Sequence, residues 1–164
     1  MIRLALSRLA REQRCAAIIE LALAAPFLAA LVIGMTDLAR GYSTKLQIEQ
    51  AAQRTVEKVE QQKSVATSYN TMLSTEATNA MTDAGYTSGN TITPDSWLEC
   101  GSNGTWTRQT DFNGSCPNAT DISARYVSVR ISRSFTPMFT SRHWPGANSS
   151  GSFTVSGFAE VRIQ

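Results

Sequence analysis

Hydrophobic positions along this chain follow three patterns in turn. From Cys15 to Met35 the run is apolar on every side, and its 21 residues hold a single charge, Glu20. After Arg40 the pattern thins. In "YSTKLQIEQAAQRTVEKVEQQ", Leu46, Ile48, Ala51, Ala52, Val56 and Val59 recur at three- and four-residue steps, with the charges spread over the other faces. The two stretches merge with no breaker between them. They predict one long helix from about Ala16 to Gln62, apolar all round in its first half and amphipathic in its second. A second helical pattern follows over 66–84, carried by Tyr69, Met72, Leu73 and Ala80, with Gly85 as its stop.

Beyond Gly85 the period drops to two. In "ARYVSVRISRSF", Val127, Val129 and Ile131 alternate with Tyr126, Ser128, Arg130 and Ser132. "SFTVSGFAEVRIQ" alternates through Phe153, Val155, Gly157, Ala159, Val161 and Ile163. These two runs are expected to pair antiparallel across a long connector, "TPMFTSRHWPGANSSG". "TITPDSWLEC" and "TWTRQ" are candidates for shorter strands. The expected class is α+β: a long N-terminal helix packed on a small antiparallel sheet, with a second, shorter helix. Its divisions are a basic leader (1–14), a transmembrane segment (15–36), a helical region (37–85) and a β-rich head (86–164). The Trp and Phe side chains of the head are expected in its core, with an intersubunit or target-binding surface as the alternative, and Met72 and Met81 are expected as core filler.

Charge sharpens the reading of the first segment. Four of the chain's 15 basic residues (Arg3, Arg8, Arg11, Arg14) and one of its 13 acidic residues (Glu12) lie in residues 1–14, leaving 11 basic against 12 acidic beyond. No basic stripe remains for a nucleic acid. An apolar stretch of about 20 residues spans a bilayer core, and arginines on its N-terminal flank place that end in the cytoplasm. A cleaved secretory signal fits less well, because its apolar region is shorter and carries no carboxylate. A plain anchor or a buried core helix would leave Glu20 without a purpose. A carboxylate at that depth costs about 2.5–3.5 kcal/mol on insertion scales, which marks it as a functional candidate. Pro26 removes a backbone donor in the same segment and is expected to kink or loosen the helix.

The stretch "RCAAIIELALAAPFLAALVIGMTDLAR" resembles the TadE-like family of the tight-adherence (Tad/Flp) pilus system, a branch of the type IV pilins. That family reads R-G-A-x-x-[VI]-E-[FY]-A-L-x-x-P followed by G-x-x-[DE]-x-G-R. Arg14, Ala16, Glu20, Ala22, Leu23 and Pro26 fall in place, then Gly34, Asp37 and Arg40. Cys15 stands where the family has glycine, and Leu21 where it has an aromatic residue. "ARYVSVRISRSFTPMF" and the closing "FTVSGFAEVRIQ" are similar to the family's C-terminal strands. The resemblance implies a minor pilin or pseudopilin that initiates or caps a pilus used for adhesion. It implies a single-pass protein of the bacterial inner membrane with its C-terminal domain in the periplasm. The implied partners are other pilin subunits, the assembly platform and a prepilin peptidase, which would cut between Cys15 and Ala16. Glu20 would then be the fifth mature residue, positioned to neutralise the α-amine of an adjacent subunit; Glu20 and Pro26 are the assembly candidates.

Cysteine usage and missing motifs narrow the rest. Cys100 and Cys116 flank a Gly/Ser/Asn/Thr-rich stretch beyond the membrane segment, which points to an oxidising compartment and a disulfide. With His143 as the chain's one histidine, no metal-ligand spacing exists, and neither a metal nor a cofactor is expected. No nucleophile elbow, phosphate-binding loop or zinc-protease motif is present, so the chain is not expected to be an enzyme. The rival expectation is a single-span periplasmic binding module that stays in the membrane and never enters a fibre.

Overall fold

A computed structural model of the chain describes residues 2–62, 68–102, 104–140 and 142–164, with the backbone alone for 2–16. Its elements are α1 (Ile2–Gln61), α2 (Tyr69–Asp83), β1 (Asn90–Ser102), β2 (Thr105–Gln109), β3 (Ile122–Phe135) and β4 (Phe153–Arg162). They form two compact units, Met1–Arg40 and Gly41–Gln164. The fold is α+β, as the alternation of periods predicts.

Helix α1 starts earlier than the expected Ala16. Residues 2–14 are mostly Leu, Ala, Arg, Glu and Gln, all good helix formers, with no proline or glycine to stop them. The helix also runs on through Pro26. The proline ring supplies no N–H, so the carbonyl of Ala22 lacks its usual donor four residues on.

In the second unit, one face of α1 supplies Ile48, Ala51, Ala52, Val56 and Val59 to the core, at the spacing read from the sequence. Thr55 is buried on the same face, and its hydroxyl is satisfied by the carbonyl of Ala51 at 2.8 Å. Helix α2 adds Leu73, Ala77 and Met81, four residues apart and fully buried. Its end is built as the glycine stop predicted. Gly85 takes φ +87°, its N–H reaches the carbonyl of Thr82 at 2.9 Å, and the Tyr86 N–H reaches Met81 at 2.8 Å. That is a Schellman closure, and Tyr86 and Met81 meet in the core as the motif requires. The expected first turn at 66–67 lies outside the described residues.

The sheet is antiparallel throughout, in the order β2-β1-β3-β4. β3 and β4 pair as expected, from Phe135 opposite Phe153 to Tyr126 opposite Arg162. Val127, Val129 and Ile131 of β3 point at the helices and are fully buried, joined by Ala159 of β4 and by Ile163 just past its end. β1 is longer than the short strand expected and passes through Pro94. The proline is tolerated because β2 covers only Leu98–Ser102, so Pro94 bonds on one side to β3 and presents its missing donor to an open edge.

Gly157 sets how closely helix and sheet approach. It sits in the inward-facing register of β4, and a Cβ there would lie 2.8 Å from the backbone C and O of Ile48 and the N of Glu49. No side chain fits, so α1 rests directly on the strand. Lys45, one turn earlier, donates to the carbonyl of Ser156 at 3.1 Å and occupies an acceptor of this edge strand.

Candidate functional site

The first unit carries the candidate assembly residues. Every residue from 17 to 32 is exposed, including Ile18, Ile19, Leu21, Leu23, Phe27 and Leu31. Among the described residues one helix is long and apolar enough to cross a membrane, and none of its apolar stretch is buried. Such a surface has no stable place in water. Glu20 is exposed within it and lies on the same side as Leu23 and Phe27, three and seven residues on. Pro26 falls on a different side, six residues from Glu20, so the two do not form one patch. Ala16 lies four residues before Glu20 and shares its face. A chain beginning at Ala16 would therefore carry its α-amine and the carboxylate on one side of a helix N-terminus, where negative charge is favoured. The backbone places Cys15 and Ala16 inside α1, and their side chains lie outside the described residues. Toward the end of the unit Asp37 pairs with Arg40 across one turn at 3.7 Å.

The second unit has two ends. At one end β1, β2 and the start of β3 meet the disulfide. Cys100 and Cys116 are bridged, with Cα atoms 5.5 Å apart, as the cysteine spacing predicted. Arg125 secures the enclosed loop: its Nε donates to the carbonyl of Phe112 at 2.9 Å and its Nη2 to that of Gly114 at 3.0 Å. It also pairs with the Gln164 side chain at 2.5 Å, tying the chain's last residue to the same loop. A shallow polar cleft of about 240 Å³ opens beside it, lined by Ser68, Tyr69, Ser96, Thr110 and Phe112. It gathers hydroxyls, amides and aromatic edges, with no carboxylate, histidine or thiol in its lining. Among the described residues no group of His, Cys, Asp and Glu is placed to hold a metal ion.

The sheet face opposite the helices was not legible as a site. Period-two alternation puts Trp97, Tyr126 and Arg108 there. Trp97 is only 7% exposed although no helix covers it. Tyr126 stacks on it at 5.6 Å and 14°, the Arg108 guanidinium lies 4.2 Å from its ring centre, and its indole N–H donates to Glu99 at 3.1 Å. Arg108 is held in turn by Asp95 at 2.5 Å. Arg130 covers Phe158 at 5.0 Å on the same face. The expectation of an aromatic core therefore holds only in part: Trp97 is buried, and Tyr69, Tyr86 and Phe112 pack against the core. The buried cluster between helices and sheet is otherwise aliphatic apart from Met81, and Trp106, Trp144, Phe139 and Phe158 are exposed. Aromatic rings on a small sheet can be desolvated by neighbouring cations and rings as well as by a core, and local sequence does not distinguish the two.

Comparison with known proteins places one segment of the chain. Residues 16–56 match the family model described as TadE-like protein, a domain that begins at Ala16 and ends inside the core-facing part of α1. No curated protein and no solved structure matches the chain.

Proposed function

From a chain that carries a TadE-like domain at residues 16–56, consistent with a Tad pilus-associated protein, we propose a minor pilin or pseudopilin that takes part in initiating or capping a Tad-type pilus. In this reading residues 1–14 face the cytoplasm, the apolar part of α1 spans the inner membrane, and Gly41–Gln164 is a periplasmic head. The role is structural, not catalytic. A prepilin peptidase cuts between Cys15 and Ala16, and the freed amine of one subunit pairs with Glu20 of its neighbour. Pairing in low dielectric is directional, while desolvation offsets much of its strength, so its effect is register between subunits more than net stability. Head-to-tail repetition of such a contact generates a helical fibre.

The observation that carries this reading is the TadE-like match at residues 16–56, which begins with an exposed apolar run whose one charge, Glu20, lies four residues after Ala16. A disulfide-bearing head agrees with an oxidising compartment. Cys15 in the place of the family's glycine favours a second reading, in which the leader is retained and the chain is a single-span binding module outside any fibre. The test is the mass and N-terminal sequence of protein isolated from its host's membranes, together with Glu20→Ala. A chain beginning at Ala16, and loss of fibre incorporation but not membrane insertion in Glu20→Ala, supports the pilin reading. A chain beginning at Met1 that is indifferent to Glu20→Ala supports the binding module.

A further inference from the structure

The connector between β3 and β4 exposes three large apolar side chains. Met138 is 64% exposed, Phe139 52% and Trp144 51%, with Arg142 and His143 between them. Trp144 opens a tight turn: the Ala147 N–H returns to its carbonyl at 3.0 Å, Pro145 follows it, and Gly146 takes φ +82°. Its ring packs edge-on to Phe153 at 6.5 Å. Asn148 braces the return, its Oδ1 accepting the N–H of Ser150 at 3.0 Å and of Ser152 at 2.9 Å. The indole is thus displayed on a built turn and not on a slack one.

The connector also has a definite place. Phe135, the last residue of β3, packs where a Cβ on Gly41 would lie 3.4 Å from its ring. Lys45 reaches Ser156, and Ile48 rests on Gly157, so β4 runs alongside α1 with its first residue at the Gly41 end. Gly41 follows Met35, the last residue of the apolar run, by only six residues of chain. Tyr42 stands at the same level and is 64% exposed. The disulfide and the other two tryptophans belong to the opposite end. Trp97 pairs with Tyr126, nine residues of strand from Phe135, which is about 30 Å.

We propose that Met138, Phe139 and Trp144, with Tyr42, form a belt that seats the head on the bilayer surface from which α1 emerges. The occupant is lipid at the boundary between acyl chains and headgroups. Tryptophan and tyrosine concentrate at that depth, and a nearby arginine meets anionic headgroups. The proposal rests on the membrane-spanning reading of α1 given above. Its consequence is that the head is held at a fixed height and tilt in the membrane before any subunit contact forms.

The test reconstitutes the full chain in vesicles of phosphatidylethanolamine and phosphatidylglycerol carrying a brominated lipid, and reads tryptophan emission. In the wild type, bromines near the headgroup should quench more than bromines near the chain end, and Trp144→Phe should reduce that quenching about twofold or more. The depth comparison needs no variant, so it stands even if Trp144→Phe folds poorly. Equal quenching in both proteins, from chains that resist alkaline carbonate extraction, would overturn the belt and leave the spanning helix intact. Release by carbonate would overturn both. Trp144 shielded from aqueous iodide but untouched by brominated lipid would assign the surface to another protein copy, and would also overturn the belt.

Discussion

Replacing Gly157 with alanine adds one methyl group at the closest approach between β4 and α1. The new carbon would stand 2.8 Å from three backbone atoms of Ile48 and Glu49. Carbon contacts are comfortable at about 3.5–4.0 Å, so α1 must retreat by roughly 1 Å at this point. Backbone cannot step aside as a flexible side chain can. The retreat also loosens Ile48, Ala51 and Ala52 against Val129 and Ala159, all buried in the same core. Overpacking of this kind costs about 1–3 kcal/mol, offset by about 0.5–1 kcal/mol from removing a glycine within a strand. The expected net loss is about 0–2.5 kcal/mol, centred on about 1 kcal/mol, equivalent to a few degrees in the melting temperature of a head this size. The assay is thermal unfolding of the full chain in detergent micelles, followed by near-ultraviolet circular dichroism in the tryptophan band, since all three tryptophans lie in the head. Ser156→Ala, one residue away on the opposite face, should stay within about 0.5 kcal/mol of the parent. Gly157→Val should lose more than Gly157→Ala. A Gly157→Val protein as stable as its parent would show that α1 does not rest on β4, and would remove the argument for the end of the head at which the β3–β4 connector sits.

Three further outcomes test other parts of the structure. Converting both Cys100 and Cys116 to serine should cost about 3 kcal/mol, the loop-closure entropy of a bridge of this span, read as a lower urea midpoint that reductant reproduces in the parent and not in the variant. Leu73→Ala should cost about 2–5 kcal/mol in the same urea experiment, because Leu73 is fully buried among α1, α2 and β3; a loss below about 1 kcal/mol would mean α2 is not docked there. Arg125→Met keeps much of the side chain's bulk but removes charged donors from the carbonyls of Phe112 and Gly114, and should cost about 2 kcal/mol. Hydrogen exchange should then quicken over 110–116 and remain unchanged in α2; uniform protection would show that the disulfide alone holds the loop.

Periodicity carried most of the architecture, since each element's inward face is a local property. Ile48, Ala51 and Val59 declare a helix face by spacing, and Val127, Val129 and Ile131 declare a sheet face by alternation. Gly85 declared a helix end because few other residues adopt its φ. The apolar run with Glu20, the arginine flank and the cysteine pair were equally local, and with them the family resemblance over 14–40, which the match at residues 16–56 overlaps. Tertiary structure decided what each face meets. Strand order depends on which edges remain open, so β1 came to lie between β2 and β3, and Pro94 could sit in it only because β2 is short. Gly157 looked like one more small residue in an alternating strand, and its purpose exists only where a helix backbone lies 2.8 Å away. Trp97 and Trp144 are the same residue type in similar polar surroundings. One is desolvated by Arg108 and Tyr126, and the other is displayed on a turn beside Gly41. Sequence assigns a residue to a face through the repeat of its own element. Burial and position follow from partners far away in the chain, and those are set when the elements pack.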